Sequence, residues 1–383
     1  MLKTKALIAA FAGCLACPRP ARAVAQNPAP WISGPADAAP AGANARPTGV
    51  IVPAIPGVPQ MFLPDIGIAG DFAYERNTLP KTDPRYDASA QQPRIRDGQA
   101  VFFSPIDPYA NAQVSIDIPE GGQANIEEAW LFFNKLPGNT SLRVGRFLPQ
   151  FGLLDRLDTF QLPMLNRPSA IGDYIGGDGL NGTGVEYNFY VPNPWGLNLK
   201  MNLNAIRGDT LDSALGARTE SLDLTYLATV DYSQDFYRSG SLESGVSVAQ
   251  GPSPVGRSET LAEPYLQVQY APTQRRIWTW SAEGLFADRH GLGPEDDKQG
   301  FYTFLDYNFA LRYHAGFLVD MADQAQAPYG KQLGLAPNVT WEISDNTRLR
   351  LQYTHTTPLA NERPNETVSL QATFSLGNLK QLE

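Results

Sequence analysis

The residues WGLNLKMNLNAI, 195–206, alternate between apolar and polar side chains almost without exception. Leu199 and Leu203 fall on one face of an extended chain, whereas Asn202 and Asn204 fall on the other, because successive side chains of a strand point to opposite faces. One strand of this kind fits two different folds. Its apolar face can contact the core of a soluble sandwich, or it can contact lipid on the outside of a water-filled barrel.

The connections between similar segments favour the barrel. Alternating segments recur from about residue 65 onwards, most near the roughly 9–11 residues that a tilted strand needs to cross a membrane. Short turns rich in Pro, Asn, Asp and Gly alternate with longer connections, and only 119–124 is short where a long one is due. The sequence therefore predicts an all-β fold, a transmembrane antiparallel barrel of about 16 strands with short periplasmic turns and longer external loops.

The N-terminus has the features of an export signal. Two lysines precede a short apolar core, and ARAVAQ offers small residues for cleavage, which predicts a signal peptide over 1–25. Lipid attachment at Cys14 is the alternative. Both cysteines lie in this segment, so the exported chain has no thiol for a disulfide or a metal. We expect a flexible Pro/Ala/Gly-rich periplasmic segment over 26–64 and the barrel over 65–383.

The composition argues against nucleic acid as a binding partner. The formal charge is −9 and the sequence pI is about 5.0, with no basic cluster that would favour nucleic acid. An exported barrel implies the bacterial outer membrane, with its lipid as one partner. Aromatic residues near strand ends fit lipid-interface girdles, although core packing is the alternative; they are Trp195, Tyr232, Tyr270, Trp278, Trp280, Trp341, Tyr353 and Phe374.

A family resemblance becomes specific over 102–194. FFSPIDPYANAQVSID, IEEAWLFFNKLPGNTSLRVGRF and the following FG and DR elements resemble the first half of barrels in the phosphate-selective porin superfamily, and more closely a porin-like outer-membrane branch of it. RLRLQYTHTTP and ETVSLQATFSLG resemble the last hairpin of that group. The resemblance implies the barrel fold. Members of the branch often carry an H-x-H pair where this chain has Asp158 and Phe160, so it implies no metal site here.

The sequence offers little for catalysis. It has three histidines and no protease, esterase or nucleotide-binding motif, so we expect no enzyme, no catalytic residue, no cofactor and no metal site. His314 shares a predicted lumen face with Arg312, which favours a polar contact in the lumen. A barrel hydrolase stays open as an alternative, and it would need a serine or an acid within hydrogen-bond reach of His314 or His355.

The 148–181 segment is the predicted functional centre. It is the longest connection and holds Phe151, Leu154, Leu162 and Met164, so it must fold onto something, and the lumen is the free place. Opposed charges there would produce a transverse field that screens small polar solutes, although solvated charges and salt bridges are the alternative. The candidates for the pore lining and constriction are Arg143, Arg146, Asp155, Arg156, Asp158, Arg167, Asp173, Glu186, Lys200, Asp223, Arg312 and Arg350.

The function expected from these features is a porin-like channel for passive diffusion of small hydrophilic solutes or ions, as a monomer or a homotrimer. The alternative is a plugged structural or adhesive barrel without transport. The alternation also predicts that Leu199→Arg costs about 2–4 kcal/mol in mid-membrane. Asn202→Arg, on the water-facing side, should be tolerated.

Overall fold

In the computed structural model, the chain forms one closed barrel of 16 antiparallel strands. The structure describes residues 64–377 except 82, 84–87, 89–90, 177–178, 208–223, 237–238, 253–257, 274, 291–296, 324–330 and 359–362. Each strand pairs with its neighbours in sequence, and β1 pairs with β16 to close the sheet. The predicted fold class and strand number are confirmed, whereas the signal peptide and the Pro-rich segment lie outside the described residues.

The strands have the following bounds: β1 Asp65–Asn77, β2 Arg94–Asp107, β3 Ala110–Asp117, β4 Asn125–Leu136, β5 Thr140–Phe147, β6 Gly182–Tyr190, β7 Asn198–Arg207, β8 Leu224–Phe236, β9 Gly240–Gly251, β10 Ser258–Thr273, β11 Arg276–His290, β12 Lys298–Asn308, β13 Tyr313–Asp323, β14 Lys331–Ser344, β15 Thr347–Pro358 and β16 Asn365–Leu376. One helix, α1 (Ser169–Ile175), lies between β5 and β6. No helix among the described residues is long and apolar enough to cross a membrane.

The two ends of the barrel differ in the length of their connections. At one end, β2 and β3 are joined by 108–109, β4 and β5 by 137–139, and β14 and β15 by 345–346. Asn139, with φ 55°, and Gly138, with φ 81°, form the tightest part of the second turn. The opposite end carries the long connections, including 148–181. The predicted sorting of short and long connections is therefore present.

Strand β7 shows how the faces of the wall are used. Leu203 is 37% exposed on the outside, whereas Asn202 and Asn204 point inward and are 0% and 4% exposed. Leu351 and Leu370 lie in the same outward belt and are among its most exposed members. A closed sheet has no second sheet against its outer face, so this apolar belt is suited to lipid rather than to a sandwich core.

Aromatic side chains form a continuous row at the end with the short connections. The rings of Trp278 and Tyr307 stack with centroids 3.8 Å apart, and the row continues through Phe309, Tyr313 and Trp341 on the next strands. All five belong to adjacent strands or the turn between them. Rings with an apolar body and a polar edge suit the boundary between lipid and water.

Candidate functional site: the inner loop

Residues 148–181, here called the inner loop, leave the end of β5 and turn into the barrel. Its apolar side chains pack against inward-facing apolar residues of the wall and form the main buried cluster. The loop contributes Phe151, Leu154, Leu162, Met164, Ala170, Ile171, Tyr174, Ile175 and Leu180, and the wall contributes Trp130, Phe147, Ile206, Leu227, Ala249, Leu261, Leu285, Ala287, Tyr302, Phe304, Leu318, Ala322 and Ala336. The prediction that this segment folds into the lumen is confirmed.

Polar contacts fix the first part of the inner loop to β8 and β9. The Gln150 amide donates to the Asp231 carboxylate at 2.7 Å, and the Gly152 N–H donates to the Ser247 hydroxyl at 2.9 Å. The Thr229 hydroxyl donates to the Gln150 carbonyl at 2.8 Å. The inward-facing polar residues on this side of the barrel thus satisfy the loop backbone.

The middle of the inner loop is held by β15, on the other side of the barrel. The Arg350 guanidinium donates to the carbonyls of Leu162 and Met164 at 2.9 and 2.6 Å, and Arg348 donates to the carbonyl of Phe160. Arg350 also donates to Gln371 on β16. A buried guanidinium is well suited to collect several carbonyl oxygens because its donors are fixed in one plane.

The helix α1 is attached to β13 at its first turn. The backbone N–H groups of Ser169 and Ala170 donate to the Asp320 carboxylate at 2.6 and 3.0 Å. These N–H groups have no partner within the helix, so a carboxylate at this position satisfies them and complements the helix dipole. The Tyr174 hydroxyl donates to the Asp323 carbonyl at 2.6 Å. The inner loop therefore touches most sectors of the wall.

Several of the predicted constriction residues lie together at the β5–β7 wall. Arg143 faces Glu186 across adjacent strands, with Nη1 3.8 Å from Oε1, and stacks over the Trp130 ring at 5.0 Å. Lys200 lies on the same wall and donates to the side-chain oxygen of Gln150 at 3.2 Å. Arg156, from the inner loop, donates weakly to that oxygen at 3.4 Å. Cations from wall and loop thus meet beside one carboxylate.

Three other candidates are carboxylates of the inner loop, and each has a raised pKa. Burial raises the pKa of Asp155 to about 7, opposed by Arg167 and by the Leu180 N–H. Burial also raises the pKa of Asp158 well above its usual range, with Glu127, Glu128 and Asp97 adding to the shift. For Asp173, burial and the neighbouring Asp320 raise the pKa to about 6.

Arg167 and Arg350 have structural partners in this site. Arg167 donates to the carbonyls of Leu154, Asp155 and Leu157, at 3.2, 3.0 and 2.6 Å, and so closes the loop on itself. Both arginines are buried and bonded to loop carbonyls rather than presented to solvent. They hold the inner loop in place.

Two candidates differ from the prediction. Arg146 pairs with Thr183 on the outward face of the wall and is exposed, because Arg143, Gly145 and Phe147 take the inward positions. Arg312 lies in the turn before β13 and donates to the Ile343 carbonyl at 2.9 Å at the rim of the barrel. The prediction assumed that Arg312 lies within the strand, whereas β13 begins at Tyr313. Asp223 lies outside the described residues.

Other residues of the site were not predicted from the sequence. Arg96 donates to the Leu165 carbonyl at 2.9 Å and lies 3.6 Å from the Asp71 carboxylate, while Glu263 and Asp320 are buried beneath the loop. One signal was available. Ile206, Leu227, Leu261 and Leu285 are apolar residues at inward positions of otherwise polar faces, and they mark where the inner loop docks.

The structure supplies at His314 the acid that the hydrolase alternative requires, but it places an amide at the other ring nitrogen. His314 Nδ1 lies 2.9 Å from the Asp306 carboxylate, but its Nε2 lies 3.0 Å from the Asn308 amide rather than from a hydroxyl. His355 Nε2 lies 3.0 Å from the Thr357 hydroxyl, and its Nδ1 is 3.7 Å from Glu366, itself half-exposed. Among the described residues, no three His, Cys, Asp or Glu side chains are arranged to hold a metal ion.

Comparison with known proteins supports the fold. The structure is similar to Pseudomonas putida OprB (TM-score 0.57, 10% identity, covering 82% of this chain and 93% of that one). It is similar to the anion-selective porin from Comamonas acidovorans (0.54, 12%, 81% and 98%) and to the outer membrane channel DcaP of Acinetobacter baumannii (0.52, 13%, 82% and 96%).

Comparison of sequences covers less of the chain than comparison of structures. No family model matches the chain. An uncharacterized protein of Aquifex aeolicus is 23% identical over 253 residues, which are 58% of this chain and 53% of that protein. The chain thus spans about half the length of the curated relative that it matches. What the comparisons establish is that this chain has the closed 16-strand barrel fold seen in outer-membrane porins.

Proposed function

We propose that the protein is an outer-membrane channel through which small hydrophilic solutes or ions diffuse passively, with the inner loop setting its narrowest part. The observation that carries the proposal is the division of the wall into an apolar outer belt and a polar inner face, with one long connection folded inside. Lipid can surround the belt, and water and solutes can contact the inner face. The fold shared with outer-membrane porins supports the same reading.

The proposal includes the orientation of the chain. The end with short connections would face the periplasm, where the Pro-rich 26–64 segment would also lie, and the long connections would face outward. The protein would work as a monomer or a homotrimer, which light scattering of the detergent-solubilised protein distinguishes. The motif resemblance to the phosphate-selective porin superfamily supports the family relationship, but the cations and carboxylates at the β5–β7 wall are mixed, so they do not support phosphate selectivity.

Conductance across a planar bilayer tests the channel. The refolded protein should give discrete conductance steps, because a water-filled path through a closed barrel carries ions whenever it is open. Heat-modifiable mobility on a gel serves as the control that the barrel is folded. A folded barrel that gives no steps contradicts the channel.

A plugged barrel is the second candidate, and one observation favours it. The inner loop is hydrogen-bonded to β8, β9, β13 and β15, on several sides of the lumen. Deleting 150–178 distinguishes the channel from the plugged barrel. If the native barrel is a channel, its conductance should rise; if it is plugged, conductance should appear where the native chain has none. Arg350→Met is the milder variant, since it removes two loop contacts without shortening the chain, and it should change conductance in the same direction.

A further inference from the structure

Two exposed arginines lie on the outward face of the barrel, at the end with the long connections. Arg146 is the last outward residue of β5, and Arg207 is the last residue of β7. The exposed Thr183 of β6 pairs with Arg146. The register between β6 and β7 continues from the Gly184–Ile206 pair, so the next residue of β7 also lies beside Thr183. Arg146, Thr183 and Arg207 thus form one row across three neighbouring strands, here called the basic rim.

An apolar row lies directly beneath the basic rim on the same three strands. Val144 of β5 pairs with Val185 of β6, and Val185 pairs with Ala205 of β7. Val144 and Val185 are 39% and 42% exposed on the outward face, although both are apolar. The wall therefore presents charge at its edge and an apolar surface beneath it, about 7 Å away along each strand.

Arg146 has no counter-charge on this face among the described residues. Its Nε donates to the Glu127 carbonyl at 3.1 Å, which fixes the base of the guanidinium against β4. Arg146 forms no ion pair with a residue that the structure describes, and the described outward positions of β5, β6 and β7 hold no carboxylate. A charge beside a lipid-facing surface is costly unless it reaches the interface or meets an anion. The terminal nitrogens of Arg146 are thus open to an anion from outside the protein.

The opposite end of the same three strands carries no such charge on its outward face. The outward residues there are Thr140 and Leu142 on β5, Phe189 on β6 and Leu199 on β7. The adjoining connections, 137–139 and 191–197, contain no charged residue. The whole chain has a formal charge of −9, so the positive charge of the basic rim is local. The wall is therefore suited to a membrane with anionic groups at one of its two surfaces.

We propose that the basic rim binds the phosphate groups of an anionic lipid of the outer leaflet, whose acyl chains lie along Val144, Val185 and Ala205. A guanidinium donates several hydrogen bonds in a fixed plane and suits phosphate oxygens, and the Thr183 hydroxyl adds another donor. The apolar row favours a lipid over a free phosphate ion, because a lipid supplies both apolar chains and a phosphate. The lipid site rests on the orientation given for the proposed channel, but it does not require the barrel to conduct.

Native mass spectrometry of the detergent-solubilised full-length chain tests the lipid site. Dioleoyl phosphatidic acid, which carries a phosphate monoester, should stay bound under conditions that remove dioleoyl phosphatidylcholine. The Arg146→Gln/Arg207→Gln variant should bind phosphatidic acid with an affinity about ten-fold weaker or more. Arg76→Gln is the matched control, because Arg76 is an exposed outward arginine at the same end of β1 but has the outward Glu366 close by on β16. This variant should keep the affinity of the native chain.

Thermal unfolding gives a second readout in the same detergent. Phosphatidic acid should raise the unfolding midpoint of the native chain and of Arg76→Gln but not that of the double variant, since a ligand stabilises only a fold that binds it. Inorganic phosphate without lipid should shift all three midpoints alike. Heat-modifiable mobility shows that each variant is folded.

Two results overturn the lipid site. One is equal retention of phosphatidic acid by the native chain and the double variant. The other is an effect of inorganic phosphate that the double variant alone loses, which would indicate a site for the free ion. Because neither measurement involves conductance, such a failure would leave the proposed channel standing.

Discussion

The outer and inner faces of the barrel wall obey different rules, although the same strands make both. The outer face is an apolar belt in which residues on opposite sides of the barrel, such as Leu203 on β7 and Leu351 on β15, are alike apolar and exposed. The inner face changes character along its height. Asn202 and Asn204 lie in a polar network, whereas Leu227 and Ile206 lie under the inner loop. One uniform medium determines which residues the outer face carries, whereas particular side-chain contacts determine those of the inner face.

The largest expected effect is the loss of stability from placing a charge in the outer belt. Leu203→Arg should lower the free energy of unfolding in lipid vesicles by about 2–4 kcal/mol, because the belt would have to accept a charge. Leu199→Arg is the matched control on the same strand: the alternation alone placed Leu199 in mid-membrane, whereas it is the second residue of β7, beside the 191–197 connection. It should cost less than about 1 kcal/mol if this end lies at the interface. Equal costs at 199 and 203 would show that the belt has been placed wrongly.

The next largest effect is weaker docking of the inner loop when the apolar part of the inner face is truncated. Leu227→Ala should weaken docking of the inner loop by about 2 kcal/mol, since it removes a buried side chain from the cluster beneath the loop. Hydrogen exchange of the loop amides measures this docking. Leu224→Ala, on the outward face of the same strand, should leave loop exchange unchanged. Comparable changes in both variants would contradict the assignment of the faces.

The smallest expected effect is a pH dependence of loop docking. Burial raises the pKa of Asp155 from 3.8 to about 7, so the docked loop keeps a proton that a released loop loses in this range. Docking should therefore weaken as the pH rises from about 4 to about 7 and level off above that. Exchange of the loop amides, corrected for the intrinsic rate, should show more frequent opening at pH 8 than at pH 5.

Asp155→Asn is the control for this dependence. It keeps the size of the side chain and cannot ionise, so opening should vary less with pH than in the native chain. Asp158 and Asp173 also have raised pKa values and shift in the same direction, which leaves a residual dependence. An unchanged pH profile in Asp155→Asn would assign the effect to those two groups.

One expectation from the alternation does not agree with the packing of the inner face. Asn202→Arg was expected to be tolerated on a water-facing side, but Asn202 is 0% exposed and its amide donates to the Asn188 side chain at 2.5 Å. An arginine there would have to displace this network. The alternation identified the inward direction correctly, but it could not show that the inward side is packed.

The sequence by itself determined the wall. Alternation is local, since each strand carries its own apolar and polar faces, and the turn residues mark each connection. The strand number, the sorting of connections and the inward path of 148–181 all followed from such signals. Leu227, the one exception in its strand, was visible as an irregularity, yet nothing local explained it.

Only the tertiary structure decided what fills the barrel. Arg350 meets the Leu162 carbonyl 188 residues away in sequence, and Glu283 meets the Leu153 N–H 130 residues away. Such pairs leave no periodic trace, because each depends on how one long loop lies against many strands at once. For the same reason the sequence did not identify Glu263 and Glu283 as a buried pair. The misplacement of Arg146 and Arg312 in the lumen has local causes instead, the alternation along β5 and the start of β13 at Tyr313.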